Sequence, residues 1–104
     1  MMRQFYVVAN PDADEREFRP YLVILQSDLV SGLSSTVVAP LVVRDRMSGA
    51  TRMNPILKVQ DREFWRAAHE LFAVDRRMLR SAVGSLAEER DAIIKALDFV
   101  FSGY

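Results

Sequence analysis

Apolar residues in this chain come in short runs separated by polar breaks, the pattern of a mainly β protein. Residues 4–8 are aromatic and β-branched and predict a first strand. Residues 10–17 are polar, broken by Pro11 and rich in carboxylates, and predict a solvated loop. Residues 21–25 are apolar without alternation, which predicts a strand covered on both faces. Gln26-Ser27-Asp28 ends that strand, and residues 31–35 read as a flexible connection. Residues 36–43 are a third strand. Pro40 within it lacks an N–H, which places the strand at a sheet edge or puts a bulge there. Residues 44–54 read as a long mobile loop, 55–59 as a fourth strand and 60–63 as a turn.

The next segment reads two ways. Phe64, Ala67 or Ala68, Leu71 and Phe72 recur at helical spacing, and propensity favours a helix over residues 63–73. The turn-like quartet before it and the β-rich context suit a hairpin partner strand. The C-terminal segment is clearer. Ser85 and Glu88 have capping-box spacing, and Glu88, Glu89 and Asp91 place negative charge at the positive end of a helix dipole. Ile93, Leu97 and Val100 form an apolar stripe flanked by Leu86, Ile94 and Phe101, with Lys95 and Asp98 away from its centre. Gly103 weakens the last turn, which leaves Ser102-Gly103-Tyr104 as a short exposed tail.

Length and composition narrow the class. The 104 residues fit one domain over residues 1–104, and half of them are apolar, enough for one core. Fourteen basic residues balance fourteen acidic ones, which disfavours nucleic acid as a direct ligand. The absence of cysteine excludes disulfides and thiolate chemistry, and one histidine excludes a multi-histidine zinc site. The N-terminus runs straight into strand-like residues, which predicts a cytoplasmic protein without signal peptide or membrane span.

Candidate chemistry is sparse. His69 is the one imidazole, but Glu70 is its immediate neighbour and the two side chains are expected to diverge, so it reads as a surface or structural residue. Asp12, Asp14 and Glu17 lack the glycine and glutamate spacing of a calcium loop and read as solvated charge. Arg44, Arg46, Arg52 and Lys58 form a weak basic cluster, read first as a solvated face and second as a phosphate or acidic-peptide site. Trp65 beside Phe64 reads as core. No Gly-rich phosphate loop or nucleophile elbow is present. These residues favour a binding protein over an enzyme, with no cofactor and no metal.

The order of the pieces carries a resemblance. Gln4-Phe5 opens the first strand, and Val23-Ile24-Leu25-Gln26-Ser27-Asp28-Leu29-Val30 closes the second. Val38-Ala39-Pro40-Leu41 lies in the third, and Asn54-Pro55-Ile56-Leu57-Lys58-Val59 precedes Asp61 and Trp65-Arg66. Asp91-Ala92-Ile93-Ile94-Lys95-Ala96-Leu97 follows, with a glycine next to the last residue. Over nearly its whole length the chain resembles the CcdB family, the toxins of CcdA/CcdB toxin–antitoxin systems. The resemblance implies a mainly β fold with a C-terminal helix, an SH3-like antiparallel barrel of the CcdB/MazF (Kid) type, assembled as a homodimer. It makes residues 64–71 a strand paired with 55–59.

The resemblance also implies a type II toxin that breaks no bond itself. Such a toxin binds the A subunit of DNA gyrase and traps the cleaved-DNA complex. A CcdA-like antitoxin neutralises it, and contact with nucleic acid comes only through the antitoxin complex, with transcription autoregulation. The gyrase-facing positions fall on Leu29, Val30, Asp98, Ser102, Gly103 and Tyr104. Asp98 stands where the family has asparagine, Tyr104 where it has an aliphatic residue, and Ser102 where its archetype has tryptophan. Two alternatives follow: a dimeric fold relative that binds without poisoning gyrase, and a MazF-like endoribonuclease.

Overall fold

The computed structural model describes residues 3–30, 32–43 and 56–103, apart from the side chains of Ile56, Leu57 and Trp65. The expected loop over 44–54, with Arg44, Arg46 and Arg52, lies outside the described residues, as do Pro55 and Tyr104. So does the expected core packing of Trp65. Among the described residues, the strands are β1 (Tyr6–Ala9), β2 (Tyr21–Ile24), β3 (Ser35–Val43), β4 (Ile56–Val59), β5 (Arg62–Arg66), β6 (Phe72–Asp75) and β7 (Ala82–Ser85). One helix, α1 (Arg90–Ser102), follows them. The sheet is antiparallel at every pairing, in the order β4-β5-β3-β2-β1-β7, with β6 added to β3.

The unbroken apolar run of β2 is explained by its two covered faces. Val23 joins one buried cluster with Val7, Ala39, Leu41 and Phe64. Leu22 and Ile24 join a second with Val8, Val38 and Leu79. The helix covers the first cluster through Ile93, with Ile94 and Leu97 packed against it. Each such fully buried aliphatic or aromatic side chain contributes roughly 1.5–3 kcal/mol. The second cluster is closed by Leu79, from the connection between β6 and β7.

Pro40 does not mark an edge. It sits mid-strand opposite Leu22 in β2, without a bulge in that pairing. On its other side β3 changes partner, from β6 along residues 35–38 to β5 along 41–43. The Pro40 carbonyl points into that changeover and accepts from the Ala67 N–H at 3.1 Å. The missing N–H therefore falls where no strand needs it.

The segment that read two ways is not a helix. β5 pairs with β4, and the chain then makes a 3-10 turn (Ala68–Glu70) before β6. The strand thus ends at Arg66, short of the expected residue 71, and begins at Arg62. Arg62 and Glu63 belong to it and not to the turn. The hairpin is closed by Gln60 and Asp61 alone, with φ of 51° and 65°, the left-handed pair that a two-residue hairpin demands.

At the helix start the capping box does not form. The Ser85 hydroxyl accepts from the Ala87 N–H at 3.2 Å, a 3-10 turn (Ala87–Glu89) intervenes, and α1 begins at Arg90. At the other end Ser102 is still helical. Gly103, at φ 77°, is the left-handed cap whose N–H donates to the Phe99 carbonyl at 3.0 Å. Gly103 thus terminates the helix instead of weakening it. No helix among the described residues is long and apolar enough to cross a membrane.

Candidate functional surfaces

Gln26-Ser27-Asp28 builds a presenting turn. Gln26 Nε2 donates to the carbonyls of Val30 (3.2 Å) and Ser35 (3.3 Å), and Gln26 Oε1 accepts from the Val37 N–H. The Ser27 hydroxyl accepts from the Leu29 N–H at 3.1 Å. Asp28 accepts from the Gln4 N–H at 2.8 Å and lies 3.6 Å from the Arg3 guanidinium. These bonds hold a 3-10 turn (Asp28–Val30) that pushes Leu29 into solvent, 95% exposed, beside the half-exposed Val30.

Asp98 and Ser102 lie one helical turn apart on the exposed side of α1, and Gly103 caps them. Phe101, expected to flank the stripe, is 71% exposed. The structure therefore brings Leu29 and Val30 together on one turn, and Asp98 and Ser102 on one helix face. The two sets sit on separate elements.

A second surface has little signature in the sequence. Residues 10–17 are the expected solvated loop, with Asp12, Ala13, Asp14, Arg16 and Glu17 exposed, but hydrogen bonds through Asn10 anchor it. Asn10 is buried. Its side-chain amide donates to the Arg19 carbonyl (2.9 Å), its Oδ1 accepts from the Asp12 N–H (3.0 Å), and its N–H donates to the Pro20 carbonyl (2.9 Å). Its own carbonyl accepts from Arg16 Nε at 2.6 Å. Asp12 repeats the device by accepting from the Asp14 N–H at 3.0 Å. Arg19 then bridges two elements, donating to Glu15 at 3.0 Å and to Glu70 at 2.9 Å. The bond to Glu70 leads in raising the Arg19 pKa.

Between this turn and β6 lies an open cavity of about 630 Å³. Asp12, Glu15 and Glu70 line its polar side with Arg19, while Phe72, Val74 and Met78 line the apolar side. The signals available in sequence were the Asp12/Asp14 turn spacing and the Glu15/Arg19 helical-turn spacing. Nothing in sequence brings Glu70 to Arg19.

His69 Nε2 lies 3.7 Å from Glu70 Oε2, so these neighbours converge. The expected divergence holds for a regular helix or strand, and the short 3-10 turn is neither. Arg66 on β5 is buried; burial pushes its pKa down and the charge of Glu89 opposes that. Among the described residues no acidic or histidine cluster is arranged to hold a metal ion.

Solved structures share this fold at low identity. An endoribonuclease in complex with its cognate antitoxin, from a mycobacterial species, superposes with TM-score 0.75 at 10% identity, over 96% of this chain and 94% of that one. The Mycobacterium tuberculosis toxin MazF-mt6 gives TM-score 0.71 at 17% identity, over 95% and 96%. A chain of the MazE–MazF complex from Deinococcus radiodurans gives 0.70 at 11%, over 97% and 95%. No curated protein matches the chain significantly. The family model described as CcdB protein matches residues 4–103. A match over almost every residue, on a fold shared with MazF-type toxins, places this chain in the CcdB family of toxin–antitoxin toxins.

Proposed function

We propose that the protein is a type II toxin that binds the A subunit of DNA gyrase and traps the cleaved-DNA complex. It breaks no bond itself, acts in the cytoplasm as a homodimer, and is neutralised by a CcdA-like antitoxin. The barrel reading of the fold is supported by the two end strands of the sheet. Val59 in β4 and Val83, Gly84 and Ser85 in β7 line one narrow gap of about 150 Å³.

The observation that carries the gyrase reading is apolar surface left in water at Leu29, a gyrase-facing position on its turn, and at Phe101, the neighbour of the gyrase-facing Ser102 on the last turn of α1. Burying such a side chain on a partner is worth about 1.5–3 kcal/mol. Serine at 102 cannot supply an aromatic contact. Phe101 supplies one, rotated about 100° round the helix. Purified gyrase is expected to accumulate cleaved DNA with the wild-type protein at micromolar concentration. Phe101→Ala is expected to weaken this roughly tenfold or more while circular dichroism stays native. Unchanged supercoiling at those concentrations would overturn the reading. Poisoning that appears only in Ser102→Trp would favour the non-poisoning relative instead.

One observation favours the endoribonuclease alternative, the arginine set between two carboxylates in an open cavity. Charge opposes it. Three carboxylates against one guanidinium leave the cavity formally at −2, which repels phosphates. RNA cleavage by the wild type that is lost in Arg19→Ala would establish this alternative.

A further inference from the structure

We propose that the cavity between the 10–19 turn and β6 is a docking groove for an extended segment of a protein partner that alternates basic and apolar side chains. The proposal does not rest on the gyrase reading, because the groove is built from other elements than Leu29 and the helix end.

Three features fix the chemistry of the occupant. The first is charge. On a chain of zero net charge, this cavity concentrates Asp12, Glu15 and Glu70 around a single Arg19. Arg19 is paired with both Glu15 and Glu70, and its single positive charge leaves the three carboxylates in formal excess. Arg16, the nearest other cation on the turn, holds the Asn10 carbonyl and does not line the cavity. A basic side chain is the complement of that rim.

The second feature is the opposite wall. Phe72 and Met78 leave 43% and 53% of their surface in water, beside the half-buried Val74. A thioether and an aromatic ring together accept apolar side chains of varied shape. The third feature is shape. Phe72 and Val74 project from the same face of a strand, about 6.5–7 Å apart. Same-side residues of an extended peptide repeat at that spacing, so alternate side chains fall on the apolar wall while the others reach the acidic rim. The cavity volume, about 630 Å³, lies within the range of about 300–1,000 Å³ typical of ligand sites. The hydrogen bonds of Asn10 and Arg19 hold the rim in place before anything binds, which lowers the ordering cost of docking.

The test is fluorescence anisotropy with the full chain and two labelled short peptides, one alternating leucine with arginine and one alternating leucine with glutamate. The arginine peptide is expected to bind saturably, and to weaken as salt is raised. Asp12→Asn and Met78→Ser, which leave the Arg19 bridge intact, are each expected to weaken it roughly fivefold or more. Amide shifts on binding are expected at Asp12, Phe72 and Met78. Equal binding of the glutamate peptide, shifts confined to other elements, wild-type affinity in both variants, or no saturation at millimolar peptide would each overturn the proposal.

Discussion

Asn10 is a polar residue placed where water cannot serve it, and four hydrogen bonds through its backbone and side chain do so instead. Replacing it with alanine strands the Asp12 N–H and the Arg19 carbonyl. Asn10→Ala is expected to cost about 2 kcal/mol in urea denaturation, with faster amide exchange at Asp12. The run of polar letters around Asn10 reads as loop, correctly, but polarity says nothing about which amide is inside. Asp75 acts similarly on the surface. Its carboxylate accepts from the Arg77 guanidinium at 2.9 Å and then from the Arg77 N–H, also at 2.9 Å, and these bonds hold its pKa below the usual carboxylate range. A depressed carboxyl stabilises the fold fully above its ordinary pKa, and that contribution fades as pH falls through the lower, folded value. An NMR titration should place the Asp75 midpoint below that of an unstructured aspartate, and Arg77→Ala should move it back up.

At the scale of elements, α1 was the most legible part and its ends the least. The stripe of Ile93 and Leu97 meets the core as its spacing implies, and Ala96 is fully buried between them. Its termini depend on φ values and on which N–H a hydroxyl reaches, and spacing alone does not encode those. Gly103→Ala forces a Cβ onto a left-handed backbone, at a cost of about 1 kcal/mol. Fraying of the last turn, seen as faster amide exchange at position 103 and a smaller α shift at Phe101, is the expected readout. Residues 64–72 show the limit of periodicity. Phe64, Ala67 and Ala68 are all buried, as a helix would also bury them, but only Phe64 is paired across strands; Ala67 follows β5 and Ala68 sits in the 3-10 turn, which packs against α1. Phe64 lies opposite Val43 and meets the Tyr21 ring edge-on at 5.5 Å. Phe72, which a helix would have turned inward, is instead half exposed on β6.

For the whole molecule, the class was readable and the wiring was not. Strand-like runs announce β1 to β4. β7 is exposed at all four positions, carries no apolar run, and becomes a strand only because β1 offers it an edge. The addition of β6 to β3, which walls the cavity, has no local signature either. The two buried clusters share the β1–β2–β3 layer, so damage to one is felt by the other. Ile93→Ala, which removes the helix's most buried large side chain, is expected to cost about 2–5 kcal/mol and to lower the thermal midpoint of the whole domain in one transition. Separate melting of α1 ahead of the sheet would contradict that coupling.

The neighbouring of β1 and β7 has a consequence for synthesis. Tyr6 pairs with Ser85, so β1 waits for a strand that leaves the ribosome almost eighty residues later. Contacts so distant along the chain form slowly. Until Ser85 has emerged, the nascent chain displays a bare β1 margin, and that interval is when a chaperone has most reason to attend it.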